Sequence, residues 1–166
     1  MFRVQFSATD TNDFYVKLLD NARFLFNLEQ DALANLSNAA ALIGINMPRI
    51  NWSGFYLWRE EQLILGPFWG KPACTRIAPG SGVCGKAVST REVQRIDDVL
   101  RFPGHIACDE ASRSELVIPL ILPDECLVGV LDIDSPEEAR FSECDQQGML
   151  DFAAILIAKS DWRACK

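Results

Sequence analysis

Cys74, Cys84 and Cys108 stand in LGPFWGKPAC, APGSGVCGKA and RFPGHIACDE, ten and then twenty-four residues apart. Each is flanked by Gly and Pro, residues of turns and helix starts rather than of packed cores. A structural cysteine behaves as a small hydrophobe inside an apolar run, as Cys126 does in ECLVGVLDI. Three thiols in turn-rich stretches point to thiol chemistry on loops held over a rigid scaffold. Cys84 follows Gly80-Ser81-Gly82 near the start of a short helix, where backbone amides favour an anion. Acids near Cys108 would raise that thiol instead, so local physics makes Cys84 the more acidic of the two. His105, the sole histidine, precedes Cys108 by three residues and is open to two readings: an ion-pair partner for the thiol, or a turn residue after Pro103-Gly104. With one histidine and no C-x-x-C, no metal-ligand spacing is present. Cys144 and Cys165 read as incidental, on a helix surface and a tail.

A second group is acidic. Two strand-like runs, Ser114 to Leu120 and Cys126 to Asp134, flank Pro123-Asp124, a hairpin turn signal. A turn centred on that pair sets Glu115 opposite Asp132, with Asp134 two residues further along the same face. The carboxylates interrupt an otherwise apolar face carrying Val117, Val128 and Val130. Acids crowded in this way raise the pKa of at least one member, supplying a proton donor at neutral pH.

The elements that position these groups follow from periodicity. Phe14, Leu18, Ala22 and Leu25 mark a helix capped by Thr11 or Asn12. Leu33, Leu36, Ala40 and Ile43 mark a second, over about 29–45, closed by Pro48. INWSGFYLW, QLILGPF and ACTRIA then read as strands. A short helix over 82–90, a brief strand VQRID, the hairpin and a last helix from Glu143 to about Trp162 complete the chain. Helices at both ends of a hairpin-connected sheet give an α+β class and one domain over residues 1–166.

Composition sets outer limits. The 166 residues are 49% hydrophobic, with a net charge of −7 and no Lys/Arg cluster. Nucleic acid is thereby disfavoured, since phosphates need a basic patch. No apolar run has the length of a membrane span, and the N-terminus lacks the pattern of a signal peptide. The expectation is a cytoplasmic protein with reduced thiols. Asn51-Trp52-Ser53 matches a glycosylation sequon but lies in a strand-like run. The Gly-Ser-Gly turn is too short for a phosphate fingerprint, though its amides could hold a carboxylate.

INWSGFYL, LGPFWGKPACTRI, GSGVCGKA, FPGHIACDEAS, SELVIPL and GVLDIDSP together resemble the signature blocks of the GAF-domain free methionine-(R)-sulfoxide reductases. The resemblance runs from the first helix to the last. It implies a six-stranded antiparallel sheet flanked by helices, a homodimer, and thiol-dependent reduction of free L-methionine (R)-sulfoxide. It further implies Cys108 as the catalytic cysteine, Cys84 as the resolving one, and Cys74 as a third thiol in disulfide exchange. Glu115, Asp132 and Asp134 match the family's acidic substrate-binding residues, and Trp52 and Tyr56 its aromatic pocket. Asp134 or Glu115 is the expected proton donor. Thioredoxin is a reductant strong enough to reset the enzyme, and no cofactor is called for. Ser81 and Arg113 stand where many members carry arginine and asparagine, which bears on substrate affinity rather than chemistry. Two other functions fit a GAF-like chain: a sensory domain for a small ligand, and a redox switch without turnover.

Overall fold

Asp10, rather than Thr11 or Asn12, caps the first helix, its carboxylate accepting the Asp13 amide at 2.9 Å. This computed structural model describes residues 4–104 and 109–163. Helix α1 (Thr11–Phe26) buries Phe14, Tyr15, Leu18, Ala22 and Phe26. Helix α2 (Ala32–Asn46) starts later than its periodicity predicts, behind the Asp31 cap, because the Glu29 carboxylate takes the Gln30 and Asp31 amides in a turn. Leu33, expected on the apolar stripe, is consequently exposed, while Leu36, Ala40 and Ile43 are buried.

Six strands follow: β1 (Trp52–Arg59), β2 (Gln62–Gly70), β3 (Arg76–Ile77), β4 (Gln94–Ile96), β5 (Ser114–Ile121) and β6 (Leu127–Ser135). They form one antiparallel sheet in the order β3-β2-β1-β6-β5-β4. Helix α3 (Gly82–Thr90) lies between β3 and β4 in sequence, and a 3-10 turn, Val99–Arg101, follows β4. Helix α4 (Glu143–Lys159) opens on a reciprocal Ser142–Asp145 capping box. It stops short of Trp162, which is buried and donates its indole N–H to the Ile157 carbonyl at 3.1 Å. The expected ACTRIA strand is shorter than predicted; only Arg76–Ile77 pair with β2.

The hairpin register differs from the expected one. Glu115 opposes Asp134, and Val117 opposes Asp132. The loop spans three residues rather than two, because Glu125 adopts a positive φ of 62° and Leu122 donates its amide to Cys126. A bulge at Leu120/Ile121 then leaves Val128 as an extra residue. Each irregularity shifts the pairing by one residue, which alone would turn every side chain over; together they restore the face. The acids therefore stay on one side although their partners change. Val128 does not join them: it packs in the larger core, with Leu131 and Ile133. Gly129 makes that switch at φ 158°, where a Cβ would lie 2.2 Å from the Tyr56 carbonyl oxygen.

The sheet thus has two unlike faces. One is covered by α2 and α4, with α1 packed on both, around Phe26, Leu36, Phe55, Leu116, Ile118, Phe152 and Leu156. The other carries a smaller cluster, Trp52, Tyr56, Val117 and Val130, against Val83, Cys84 and Ala87 of α3.

Candidate active site

Period-two alternation sends Trp52 and Tyr56 of β1, Asp132 and Asp134 of β6, and Glu115 of β5 to the α3 side of the sheet. Trp52, Asp134 and Glu115 form one row across three strands, and Gly54, Asp132 and Val117 the next. Gly54 is part of the design: a Cβ there would lie 2.5 Å from the Trp52 ring and 2.5 Å from Phe68 Cβ. Its absence lets the Trp52 indole lie flat between Phe68 (centroids 5.5 Å, 13°) and Tyr56 (5.9 Å, 27°). The indole N–H donates to the Lys71 carbonyl at 3.1 Å. An aromatic wall results.

Helix α3 brings Cys84 onto the acids. Its Sγ donates to Glu115 Oε1 at 3.8 Å, and Cys84, Glu115 and Asp132 are all buried. Asp134 is half-buried. The walls form a solvent-open pocket whose cavity volume is about 40 Å³, lined by the three carboxylates and by Ser81, Lys71 and Asp109.

Burial pushes the Glu115 carboxyl well above its ordinary range, and the charges of Asp132 and Asp134 push it further. Burial also raises Asp134, helped by Asp132 and Asp109, against a hydrogen bond from Ser112. Asp132 is pushed up to about 7 by burial, with hydrogen bonds from Cys84 and Glu115 holding it down. Burial and mutual repulsion thus act on the three carboxyls as one group, which favours keeping a proton among them that can be donated to a substrate.

The Cys84 thiol overturns the local reading of its acidity. Burial, then the charges of Asp132, Glu115 and Asp134, raise it well above a normal thiol. The helix start favours a thiolate, but a dry site shared with three carboxylates outweighs it. Cys84 is a free thiol, and Cys74, half-buried on the loop after β2, is held in a disulfide. Cys108 and His105 lie outside the described residues.

The structure adds groups that sequence reasoning missed. Asp109 Oδ1 accepts the Ala111 amide at 3.0 Å, and Lys71 Nζ lies 3.2 Å from its Oδ2. Asn51 donates its side-chain amide to Asp109 Oδ2 at 3.2 Å and to Ser112 Oγ at 3.0 Å. These contacts hold Asp109 below the usual carboxylate range, chiefly through the Ala111 amide. The one local signal was D-x-A, an Asp able to close a turn onto the amide two residues on. Asn51, seen in sequence only as part of a sequon, thus serves the pocket rim. Arg113 does not line the pocket; it pairs with Glu138 at 3.0 Å and Asp98 at 3.5 Å. Ser81 does line it.

The GAF domain family matches residues 31–156. Protein YtsP of Bacillus subtilis is 49% identical over 158 residues, covering 94% of this chain and 96% of its own. A free methionine-R-sulfoxide reductase of Escherichia coli is 47% identical over 154 residues, 91% of this chain and 93% of its own. Among solved structures, a Neisseria meningitidis free methionine-R-sulfoxide reductase in complex with its substrate superposes with a TM-score of 0.90 at 40% identity, covering 96% of this chain and 95% of that one. The α+β architecture with its six-stranded antiparallel sheet is the GAF fold.

Proposed function

This chain belongs to the GAF-domain free methionine-(R)-sulfoxide reductases, and from that premise we propose that it reduces free L-methionine (R)-sulfoxide to L-methionine. The observation that carries the reading is the pocket itself: three carboxyls whose affinity for protons is raised by burial, beside an aromatic wall. The acids suit an ammonium group and the departing oxygen; stacked Trp52 and Tyr56 suit a methyl-sulfur end.

The chemistry balances with two thiols. The Cys108 thiolate attacks the sulfoxide sulfur, and a carboxylic acid, Glu115 or Asp134, protonates the oxygen. Methionine leaves, the oxygen passes to Cys108 as a sulfenic acid, and a second thiol condenses with it, releasing water and forming a disulfide. Resolution needs a thiolate. The disulfide on Cys74 and the buried, proton-holding Cys84 support Cys74 as the first resolver, with Cys84 taking part in later exchange. A reductant of thioredoxin's class then resets the enzyme.

The whole chain acts as one GAF domain, and its setting is the cytoplasm, where such thiols stay reduced. Among the described residues no helix is long and apolar enough to cross a membrane. A homodimer is supported by apolar side chains exposed on the helical layer, Val16 at 60%, with Leu28 and Leu33 also exposed.

The test is NADPH consumption in the presence of thioredoxin and its NADPH-linked reductase. The free (R)-sulfoxide should be consumed through many turnovers; the (S) form and sulfoxide within a peptide should not. A peptide amide leaves the buried acids unpaired, a loss that discriminates strongly. Equal rates on peptide-bound sulfoxide would refute the reading, and binding without turnover would return the chain to a sensor or switch.

A further inference from the structure

We propose that Cys84, Glu115 and Asp132 also bind a single divalent ion of the zinc class, whose presence shuts the pocket to substrate. The second half of the proposal rests on the reading that the pocket takes the sulfoxide; the first half stands alone.

No spacing in the sequence announces these ligands, because they come from α3, β5 and β6. The fold brings their sulfur and oxygen atoms within 4.8 Å of one another, all three buried. Cys84 Sγ and Glu115 Oε1 are 3.8 Å apart. In a tetrahedral zinc site with bonds of about 2.3 Å to sulfur and about 2.0–2.2 Å to oxygen, sulfur and oxygen sit about 3.6 Å apart. The Cys84–Glu115 edge is thus near its bound length, and no other edge exceeds 4.8 Å, a gap within the reach of side-chain rotation.

An independent observation marks a missing partner. Asp132 is 6% exposed, and its Oδ1 is buried with no hydrogen-bond partner except the protons that Cys84 and Glu115 hold, which are the protons an ion would replace. A buried acceptor of this kind costs free energy unless a donor or cation meets it. The sulfur ligand sets the class: thiolate with carboxylates suits zinc and its borderline neighbours, whereas magnesium and calcium take oxygen alone. The ion would displace protons from its ligands on binding, and its charge of two would offset most of the three negative charges left behind. All three ligands line the pocket, so an ion held by them would take the place proposed for the substrate's ammonium. Because Cys74 is the bonded thiol and Cys84 the free one, the site is complete while Cys74 is oxidised.

Equilibrium dialysis of the full chain against Zn²⁺, with the Cys74 disulfide intact, tests the first half. Co²⁺ in place of Zn²⁺ gives the spectroscopic readout, a thiolate-to-cobalt charge-transfer band. One ion per chain is expected, with that band present. Loss of even an outer partner of a metal ligand costs about 10–100-fold in affinity. Cys84→Ser, Glu115→Gln and Asp132→Asn should each lose at least as much, while Cys144→Ser, at an exposed thiol, should lose none. Circular dichroism identifies a variant that fails to fold, and the remaining two then decide. Failure to bind one ion, absence of the sulfur band, or unchanged affinity in every folded ligand variant overturns the metal site. Free methionine sulfoxide should expel the bound ion. An ion that stays, in a protein whose ligand variants behave as expected, overturns the exclusion and counts against the substrate reading. Normal sulfoxide reduction without metal binding overturns the metal site alone.

Discussion

Replacing Asp132 by Asn should stabilise this protein at alkaline pH while damaging its site. Burial holds the Asp132 proton to about pH 7 in the native state, against an ordinary value of 3.8. The native state therefore binds this proton more tightly than the unfolded chain, so the associated stability is full below about pH 4 and is lost as pH rises through about 7. A shift of about three units, at about 1.4 kcal/mol each, is on the order of 4 kcal/mol. The residue is buried, so solvent does not screen much of this away. Asparagine keeps the shape and carries no charge. Asp132→Asn also removes the charge that helps to raise Glu115 and Asp134, which acts in the same direction. Urea unfolding followed by far-UV circular dichroism between pH 4 and pH 8 measures the effect. At pH 4 the variant should match the parent or fall slightly below it; by pH 8 it should be more stable by about 2–4 kcal/mol. Its KM for free methionine sulfoxide should rise over the same range. Parallel stability curves for the two proteins would refute the claim that Asp132 is ionised at a cost.

The other expectations concern the reaction itself. Cys108→Ser should release no methionine even in a single turnover, whereas Cys74→Ser should release about one per site from reduced enzyme and then stall. Cys84→Ser should keep turning over with thioredoxin, but more slowly, because the later exchange is lost; a stall after one methionine would return the first resolving role to Cys84. Glu115→Gln and Asp134→Asn separate donor from holder. The donor should lose about 10²–10⁴-fold in kcat, and the holder should raise KM with kcat kept; near-normal constants for both would reduce the acids to a polar sheet face.

Much of this site was legible in the sequence because it depends on period two. Trp52 and Tyr56 are four residues apart on one strand, and Asp132 and Asp134 two apart on another, so alternation alone puts each pair on one face. The pairing between strands was less legible. Pro123-Asp124 reads as a two-residue turn, yet Glu125 takes a positive φ, which nothing in the local sequence demands. The bulge that frees Val128 is set by contact between Gly129 and the β1 backbone, a tertiary fact. The grouping of acids survived only because two one-residue shifts cancelled. The acidity of Cys84 was misjudged for a similar reason: a helix start is visible in sequence, while burial against Asp132 and Glu115 appears only after folding. Asp109, Asn51 and Lys71 were missed because they come from three separate loop or strand-end positions.

The placement of the acids on the α3 face has an energetic logic. Burying carboxylates costs stability, and the cost must be met elsewhere in the fold. On the opposite face β1, β5 and β6 present Phe55, Leu116, Ile118, Leu131 and Ile133 to the helical layer, in which α1 packs on α2 and α4, with Leu18, Leu36, Phe152 and Leu156 fully buried. Each such side chain contributes about 1.5–3 kcal/mol. That face stabilises the same strands whose other side carries the site, so the register of the acids is set by residues that never touch a substrate. A substitution in the larger core, such as Ile133→Ala, should therefore loosen Asp132 and Asp134 as well as the fold, since Ile133 lies between them on β6. The site is rigid because its reverse side is a core.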